Sequence, residues 1–158
     1  MKQLLQVADF VRAWRAQMRF GKISRAPLRL LRLQLYGETA ELSWMARPLD
    51  VWDAVLPRRE RDRAASLQAL QDAVALREML FAVLPDVQSA EFRVFRQSAR
   101  EPPHLIIVGR VTREAPAVLR ITSPAMRAKL YGFHFRLDGG VLEPLETEDR
   151  SLQLMMSA

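Results

Sequence analysis

Residues 28–47 read LRLLRLQLYGETAELSWMAR and show the clearest strand–turn–strand pattern in the chain. We expect Gly37 and Glu38 to form a two-residue turn, because a type II′ turn takes glycine first. Apolar pairs then alternate with mostly polar ones across the two arms, as an antiparallel register with one buried face demands. The expected pairs are Tyr36 with Thr39, Leu35 with Ala40, Gln34 with Glu41, Leu33 with Leu42, Arg32 with Ser43, Leu31 with Trp44 and Arg29 with Ala46. The stretch therefore predicts a β-hairpin.

Helical periodicity appears on both sides of this hairpin. Residues 3–20 place Leu4, Val7, Val11, Trp14 and Met18 on one helical face. A longer helix is predicted over residues 62–84, where Pro85 ends it. Its expected buried face holds Leu67, Leu70, Val74, Leu80, Phe81 and Leu84, and its expected wet face holds Gln68, Gln71, Asp72 and Glu78. This helix is the best candidate for covering a sheet.

The remaining elements are strands and one short helix. Strands are predicted over residues 89–97, 104–112, 118–122, 133–137 and 141–145. Ser123, Pro124 and Gly132 have the types expected at the cap, the first turn and the end of a short helix. Short hairpin connections require antiparallel pairing, so we expect an α+β fold with a mostly antiparallel sheet. Residues 1–145 should form one domain, and residues 146–158 read as a polar, flexible tail.

Composition limits the class of protein. The 158 residues are 49% hydrophobic and 27% charged, as in a globular domain. The absence of cysteine excludes disulfides, cysteine zinc sites and thiol catalysis. No apolar run approaches the roughly eighteen residues of a membrane-spanning helix, so we expect a cytoplasmic protein. Arginine supplies 21 of the 24 cations, a bias typical of a GC-rich bacterial genome.

The net charge of +6 is confined to one part of the chain. Residues 1–63 carry 13 cations and 7 acids, whereas residues 64–158 carry 11 of each. Within the first part, residues 12–32 hold seven cations and no acid. Such asymmetry indicates contact with a polyanion, with another protein, or simply the solvated side of an ordinary fold. The six cations that could share a nucleic-acid surface are Arg12, Arg15, Arg19, Lys22, Arg25 and Arg32, with Tyr36 as a stacking aromatic.

Catalytic signatures are scarce. The two histidines, His104 and His134, have no carboxylate at the spacing of a metal site, so we expect no metal and no cofactor. No nucleophile elbow, phosphate loop or dinucleotide fingerprint is present. Glu91 and Glu101 are the nearest candidates for acid–base chemistry, although both are expected to face solvent. The sequence favours a protein that is not an enzyme and assigns no catalytic residue.

The favoured function is a small, non-catalytic bacterial interaction or ligand-binding module, and no family resemblance narrows it. Nucleic-acid binding through residues 12–32 and an enzyme with a carboxylate site not visible in sequence are the alternatives. Self-association is expected through outward residues of the first hairpin, namely Leu28, Leu30 and Met45. A small molecule would lie between the long helix and the sheet. The tail is expected to fold back near the basic segment, since residues 143–150 hold four acids against one cation.

Overall fold

A computed structural model describes residues 2–19, 21, 23–24, 26–48, 55–114 and 121–145. Its helices are α1 (Lys2–Gln17), α2 (Arg58–Val83) and α3 (Pro124–Tyr131). Its strands are β1 (Arg29–Tyr36), β2 (Thr39–Met45), β3 (Ser89–Arg96), β4 (His104–Thr112), β5 (Phe133–His134), β6 (Leu137–Asp138) and β7 (Val141–Leu142). The predicted α+β class with one N-terminal, one long and one short helix is confirmed.

The sheet has five strands in the order β1-β2-β3-β4-β5, and β6 pairs with β7 separately. All neighbours are antiparallel except β2 and β3, which run parallel. The parallel pair follows from α2, because a parallel partner needs a long crossover connection. As a result, the carboxyl ends of β2 and β3 and the beginning of α2 meet at one end of the sheet.

The first hairpin has the predicted turn, and the predicted register holds over its first five pairs. Gly37 has a φ of 58° and no non-glycine residue in the described chain has a positive φ, as a type II′ turn requires. Beyond the pair Arg32–Ser43 the register shifts. Leu30, not Leu31, lies opposite Trp44, and Arg29 lies opposite Met45. The two predicted pairs at this end were therefore wrong, because a β-bulge inserts one extra residue that uniform alternation cannot anticipate.

The core lies between one face of the sheet and the helices. An aromatic series runs through it from α1 to β5, with ring centroids 6.4 Å apart for Trp14–Trp44, 5.5 Å for Trp44–Phe92 and 5.6 Å for Phe92–Phe133. Aromatic pairs at such spacings add about 0.5–1.5 kcal/mol each to the free energy of burial. This packing lies at the helix–sheet interface, and the two clefts described below are lined by other residues.

Several expected side-chain orientations were wrong. Leu28 and Met45, expected to face outward, are buried, and Leu30 packs against the core. On α1, Leu4 is 73% exposed while Phe10 is fully buried. Phe10 is buried in the core and Leu4 is not, because α1 contacts the core mainly through its second half.

The wet face expected for α2 is partly buried. Gln68 and Asp72 are 2% and 3% exposed, whereas Leu67, expected inside, is 39% exposed. The physical reason is tertiary, since α1 and the segment after it lie over that side of α2. A helix that packs against other elements on two sides has no single apolar stripe, so hydrophobic periodicity alone misassigns its buried and exposed faces.

The short helix has the caps that its sequence predicts. The Ser123 hydroxyl accepts a hydrogen bond from the Met126 N–H, and Gly132 ends α3 with a φ of 105°. The predicted strand over residues 118–122 falls mostly outside the described residues, and Ile121 and Thr122 are not in a strand. The tail, residues 146–158, also lies outside the described residues.

Candidate anion-binding cleft

The cations proposed for a nucleic-acid surface do not all lie together. Arg12 and Arg15 are exposed on α1, which packs on the core side of the sheet, and Arg19 is exposed just after the end of that helix. Lys22 and Arg25 lie outside the described residues. Arg32 projects from the opposite face of the sheet, because the alternate residues of β1 are the ones that pack on the core. Two of the six therefore share one side of a helix, Arg19 follows that helix, and Arg32 does not join them.

The open face of the sheet is a network of opposite charges. Arg32 and Glu41 lie 3.8 Å apart, and Glu91 pairs with Arg110 at 2.6 Å and with Arg93 at 3.6 Å. Glu91, which the sequence suggested as a candidate for acid–base chemistry, is therefore ion-paired with two arginines. This face presents paired charges and no free carboxylate among these residues.

Tyr36 and Leu31 are the exposed large side chains of the first hairpin, at 53% and 40%. They lie on β1, which is the outer strand of the sheet. Self-association through the first hairpin remains a prediction, and these two residues replace the buried ones that were expected to mediate it.

Arg47, directly after β2, is a buried structural arginine. Its Nε donates to Asp72 Oδ2 at 2.9 Å, and its Nη2 donates to Asp72 Oδ1 at 3.3 Å and to the Met18 carbonyl at 2.8 Å. Its Nη1 donates to the carbonyls of Ala26 at 2.7 Å and Arg19 at 3.3 Å. All five donors are used, so the guanidinium joins the end of α1 to the middle of α2.

Gln68 extends this network to the segment after α1. Its Oε1 accepts hydrogen bonds from the N–H groups of Ile23 at 2.6 Å and Ser24 at 3.1 Å, and its Nε2 donates to Asp72 Oδ1 at 3.0 Å. Burial raises the pKa of Asp72, while the hydrogen bonds and charge of Arg47 and the amide of Gln68 oppose that rise. The network is satisfied internally and offers no free group for chemistry.

Arg113 and Arg77 perform a similar structural task at the other end of α2. Arg113 donates to the carbonyls of Phe81, Leu84 and Val87 at 2.8, 2.6 and 2.9 Å. Arg77 donates to the Thr112 carbonyl at 2.7 Å and lies 4.0 Å from the ring centre of Tyr131. Because cations stabilise helix C-termini, these arginines belong to the fold and not to a binding surface. Burial lowers the pKa of Arg77.

A smaller cleft of about 350 Å³ lies between the end of α1, α2 and the start of α3. Its charged walls are already paired, since Arg127 lies 3.2 Å from Glu78 and Arg47 is bound to Asp72. The Oε1 atom of Gln71 and the Nε atom of Arg127 are buried there without a hydrogen-bond partner among the described residues. One acceptor and one donor do not define a ligand.

A larger cleft of about 640 Å³ lies at the carboxyl ends of β2 and β3, against the first turns of α2. Small-molecule sites commonly have volumes of about 300–1,000 Å³. The ionisable side chains of its wall, apart from the paired Arg47, are Arg58, Arg96, Arg100, His104, Asp62 and Glu101. Alanines, Pro48 and Val141 supply apolar surface between them. The wall therefore combines a cationic excess with apolar contact area.

Two cations of this cleft are available to a ligand. Arg100 has no hydrogen-bond or ion-pair partner within the described part of the chain. The side chain of Arg58 is 89% exposed. Its Nε atom lies 4.0 Å from Asp62 Oδ2, which is the longest distance that counts as an ion pair. The helix that begins at Arg58 has Pro57 before it and no side-chain cap. The positive end of the α2 dipole thus adds to the charge of the two guanidiniums.

The other side of the cleft is more rigid. Arg96 donates to the Leu142 carbonyl at 2.7 Å and lies opposite His104 across β3 and β4. His104 Nε2 lies 2.8 Å from Glu101 Oε2, so the second sequence candidate for acid–base chemistry is paired with a histidine. These residues form a hydrogen-bonded polar rim beside Arg58 and Arg100.

The sequence analysis missed this cleft. Arg58 lies in a segment of mixed charge, residues 58–63. Arg96 and Arg100 lie in the part of the chain with equal numbers of cations and acids, so the charge distribution did not single out any of the three. The signal that could have found them is the parallel pairing of β2 and β3, which brings segments about fifty residues apart to one edge. Sequence patterns do not reveal strand order.

No three His, Asp or Glu side chains of the described residues converge as a metal ion would require. Within the same residues, no helix combines the length and the apolar character needed to cross a membrane. His134, the second histidine, is exposed on β5 and pairs with Val108 in the sheet.

Comparison with protein-family models, with curated proteins and with solved structures finds no match to this chain.

Proposed function

We propose that the protein is a non-catalytic module that binds a small anionic molecule in the cleft at the carboxyl ends of β2 and β3. The observation that carries this proposal is the pair of available arginines, Arg58 and Arg100, in a cleft of about 640 Å³. The ligand is an organic phosphate or polycarboxylate, because guanidiniums and an uncapped helix N-terminus both favour such anions.

The remaining wall supports an organic anion over a bare ion. Pro48 and Val141 give apolar contact, and Glu101 beside His104 gives acceptors for hydroxyl or amine donors. A ligand with an anionic group and a polar body would satisfy both kinds of wall.

The test compares two charge-matched variants by isothermal titration calorimetry with inorganic pyrophosphate in low salt. The double substitution Arg58→Gln and Arg100→Gln should weaken binding at least tenfold, since one lost charge-assisted hydrogen bond is worth about 1.5–3 kcal/mol. The control, Arg12→Gln with Arg15→Gln, removes the same charge from α1 and should change the affinity less than twofold. Failure of the unmodified protein to bind, or equal weakening in both variants, rules the cleft out.

A second candidate function is nucleic-acid binding through α1. It is supported by the exposed side chains of Arg12 and Arg15 on that helix and of Arg19 just after its end. This surface is separate from the cleft, so its test is independent and is described in the Discussion.

A further inference from the structure

The outer edge of β1 is a pairing surface with no partner strand among the described residues. β1 is the first strand of the five-stranded sheet and pairs with β2 on one side only. Proteins usually block such an edge with proline, with charged side chains or with a bulge. The part of β1 after its bulge, residues 32–36, has no proline and a single charged side chain, that of Arg32. What lies opposite Arg32 therefore decides whether this edge accepts a further strand.

The turn at Gly37 determines which backbone groups of the edge point outward. Tyr36 and Thr39 flank this two-residue turn and exchange hydrogen bonds with each other. Pairs that exchange hydrogen bonds alternate with pairs that do not, so the N–H and C=O groups of Leu35 and Leu33 point away from β2. No hydrogen bond within the described chain uses these four groups.

The side chains of this edge form two rows that a further strand would cover. Leu33 and Leu35 face the core side and are only partly buried. Arg32, Gln34 and Tyr36 lie on the open face, where the Gln34 side chain accepts hydrogen bonds from both Arg32 and Tyr36. One row therefore offers apolar area, and the other offers a cation, an amide and an aromatic ring.

We propose that a second copy of this chain pairs with this edge, β1 antiparallel to β1, around a two-fold axis at Gln34. In this register Leu33 exchanges backbone hydrogen bonds with Leu35 of the second copy, and Leu35 with its Leu33, so all four outward groups are used. Arg32 lies opposite Tyr36 of the second copy, and each cation meets an aromatic ring instead of another cation. The contact is self-complementary, as a two-fold interface requires.

Charge and closure favour this arrangement. A two-fold axis at Arg32 would place two cations opposite each other, which is destabilising. The opposite edge of the sheet ends in β5, which has only two residues. Pairing therefore uses the long edge of both copies and gives a closed dimer with one continuous ten-stranded sheet. None of the residues of this edge lines the proposed anion cleft, so the two proposals are independent.

The dimer is expected to be weak. About five residues of each copy would take part, whereas a standard interface uses roughly 20–30 residues a side. We therefore expect a dissociation constant in the micromolar range, which analytical ultracentrifugation from about 1 to 200 μM would measure. The unmodified protein should pass from monomer to dimer over this range.

Substitutions at the two-fold axis test the register. Gln34→Lys and Gln34→Glu should each weaken the dimer at least tenfold, because like charges would then lie opposite each other. An equimolar mixture of the two variants should restore association, since the introduced ammonium then lies opposite the introduced carboxylate. The control Gln17→Lys makes the same charge change at an exposed position of α1 and should alter the dissociation constant less than twofold.

The outcomes decide the proposal. A protein that is still a monomer at 200 μM overturns it. A dimer that both Gln34 variants leave intact also overturns it, because the interface would then lie elsewhere, for example on the open face of the sheet. Two monomeric variants whose mixture stays monomeric contradict the register.

Hydrogen exchange tests the same contact without a substitution. The amides of Leu33 and Leu35 should exchange at least threefold more slowly at 200 μM than at 1 μM, because only the dimer gives them a hydrogen bond. The amide of Gln34, which points toward β2, should exchange at the same rate at both concentrations. Equal rates for Leu33 and Leu35 at both concentrations would show that these groups remain unpaired and would rule out the β1 contact.

Discussion

Two groups of arginines differ in what surrounds their side chains. Those near helix ends bind backbone carbonyls, whereas those on the outer side of α1 are exposed. Arg47 and Arg113 each donate to at least three carbonyls that follow or end a helix. Arg12 and Arg15 are exposed, and Arg12 pairs with Asp9 on the same helix. Part of the formal charge of +6 therefore belongs to groups that close the fold, so it overstates the charge offered to a partner.

The largest effect expected from this comparison is on folding stability at Arg47. Arg47→Met leaves the Asp72 carboxylate without its opposing charge and leaves three carbonyls without donors. Breaking a buried pair by removing one partner destabilises a protein by about 3–5 kcal/mol. Urea denaturation should show a loss of this size, whereas Arg12→Met should change the free energy of unfolding by less than about 1 kcal/mol.

The pH dependence of that loss has a definite sign. Burial already raises the pKa of Asp72 above its usual 3.8, and removal of Arg47 takes away the interactions that oppose the rise. A raised folded-state pKa means that stability is present at low pH and is lost as the pH rises through that pKa. The variant should therefore be closer to the unmodified protein at pH 5 than at pH 7. A destabilisation that is the same at both values would contradict this account of Asp72.

A smaller effect is expected at Arg113. Arg113→Lys keeps the charge but loses the planar fork that reaches three carbonyls at the end of α2. The expected loss is about 2 kcal/mol, since hydrogen bonds to charged groups contribute about 1.5–3 kcal/mol and lysine retains some of them. Arg110→Lys is the matched control, because Arg110 is exposed and its side chain bonds, among the described residues, to Glu91. Similar losses in both variants would show that the fork is unimportant.

Local chemistry made parts of the fold predictable. Gly37 fixed the first turn, and Ser123 with Gly132 fixed both ends of α3, because each acts on backbone groups a few residues away. The alternation of β1 and β2 was sufficient to pair them until Leu31. At Leu31 the bulge depends on how Trp44 fits into the core, which is a tertiary property that alternation does not contain.

The candidate site was not predictable for a related reason. Asp72 looked like a wet-face residue because its neighbours on α2 are polar, yet its partner Arg47 lies 25 residues away in sequence. Arg58 and Arg100 are brought to one cleft only by the parallel pairing of β2 with β3. Charge density along the chain pointed to residues 12–32, since it measures local composition and not convergence in space.

The smallest effect on stability is expected on α1, and the same variant tests nucleic-acid binding. Arg12→Glu with Arg15→Glu and Arg19→Glu should change the free energy of unfolding by less than about 1 kcal/mol, because all three side chains are exposed. If these cations bind nucleic acid, log affinity should fall against log salt with a slope of roughly −2.1 to −2.7, which corresponds to three phosphates.

Fluorescence anisotropy with short single- and double-stranded DNA and RNA, from 20 to 300 mM salt, measures that slope. The triple variant should abolish binding, whereas Arg58→Gln with Arg100→Gln should leave it within twofold. A slope steeper than about −4 would require more cations than α1 presents and would bring Lys22 and Arg25 back into the surface. If the unmodified protein does not bind at the lowest salt, the three arginines are solvated side chains with no nucleic-acid ligand. They would then differ from Arg47 and Arg113, whose guanidiniums bind backbone carbonyls.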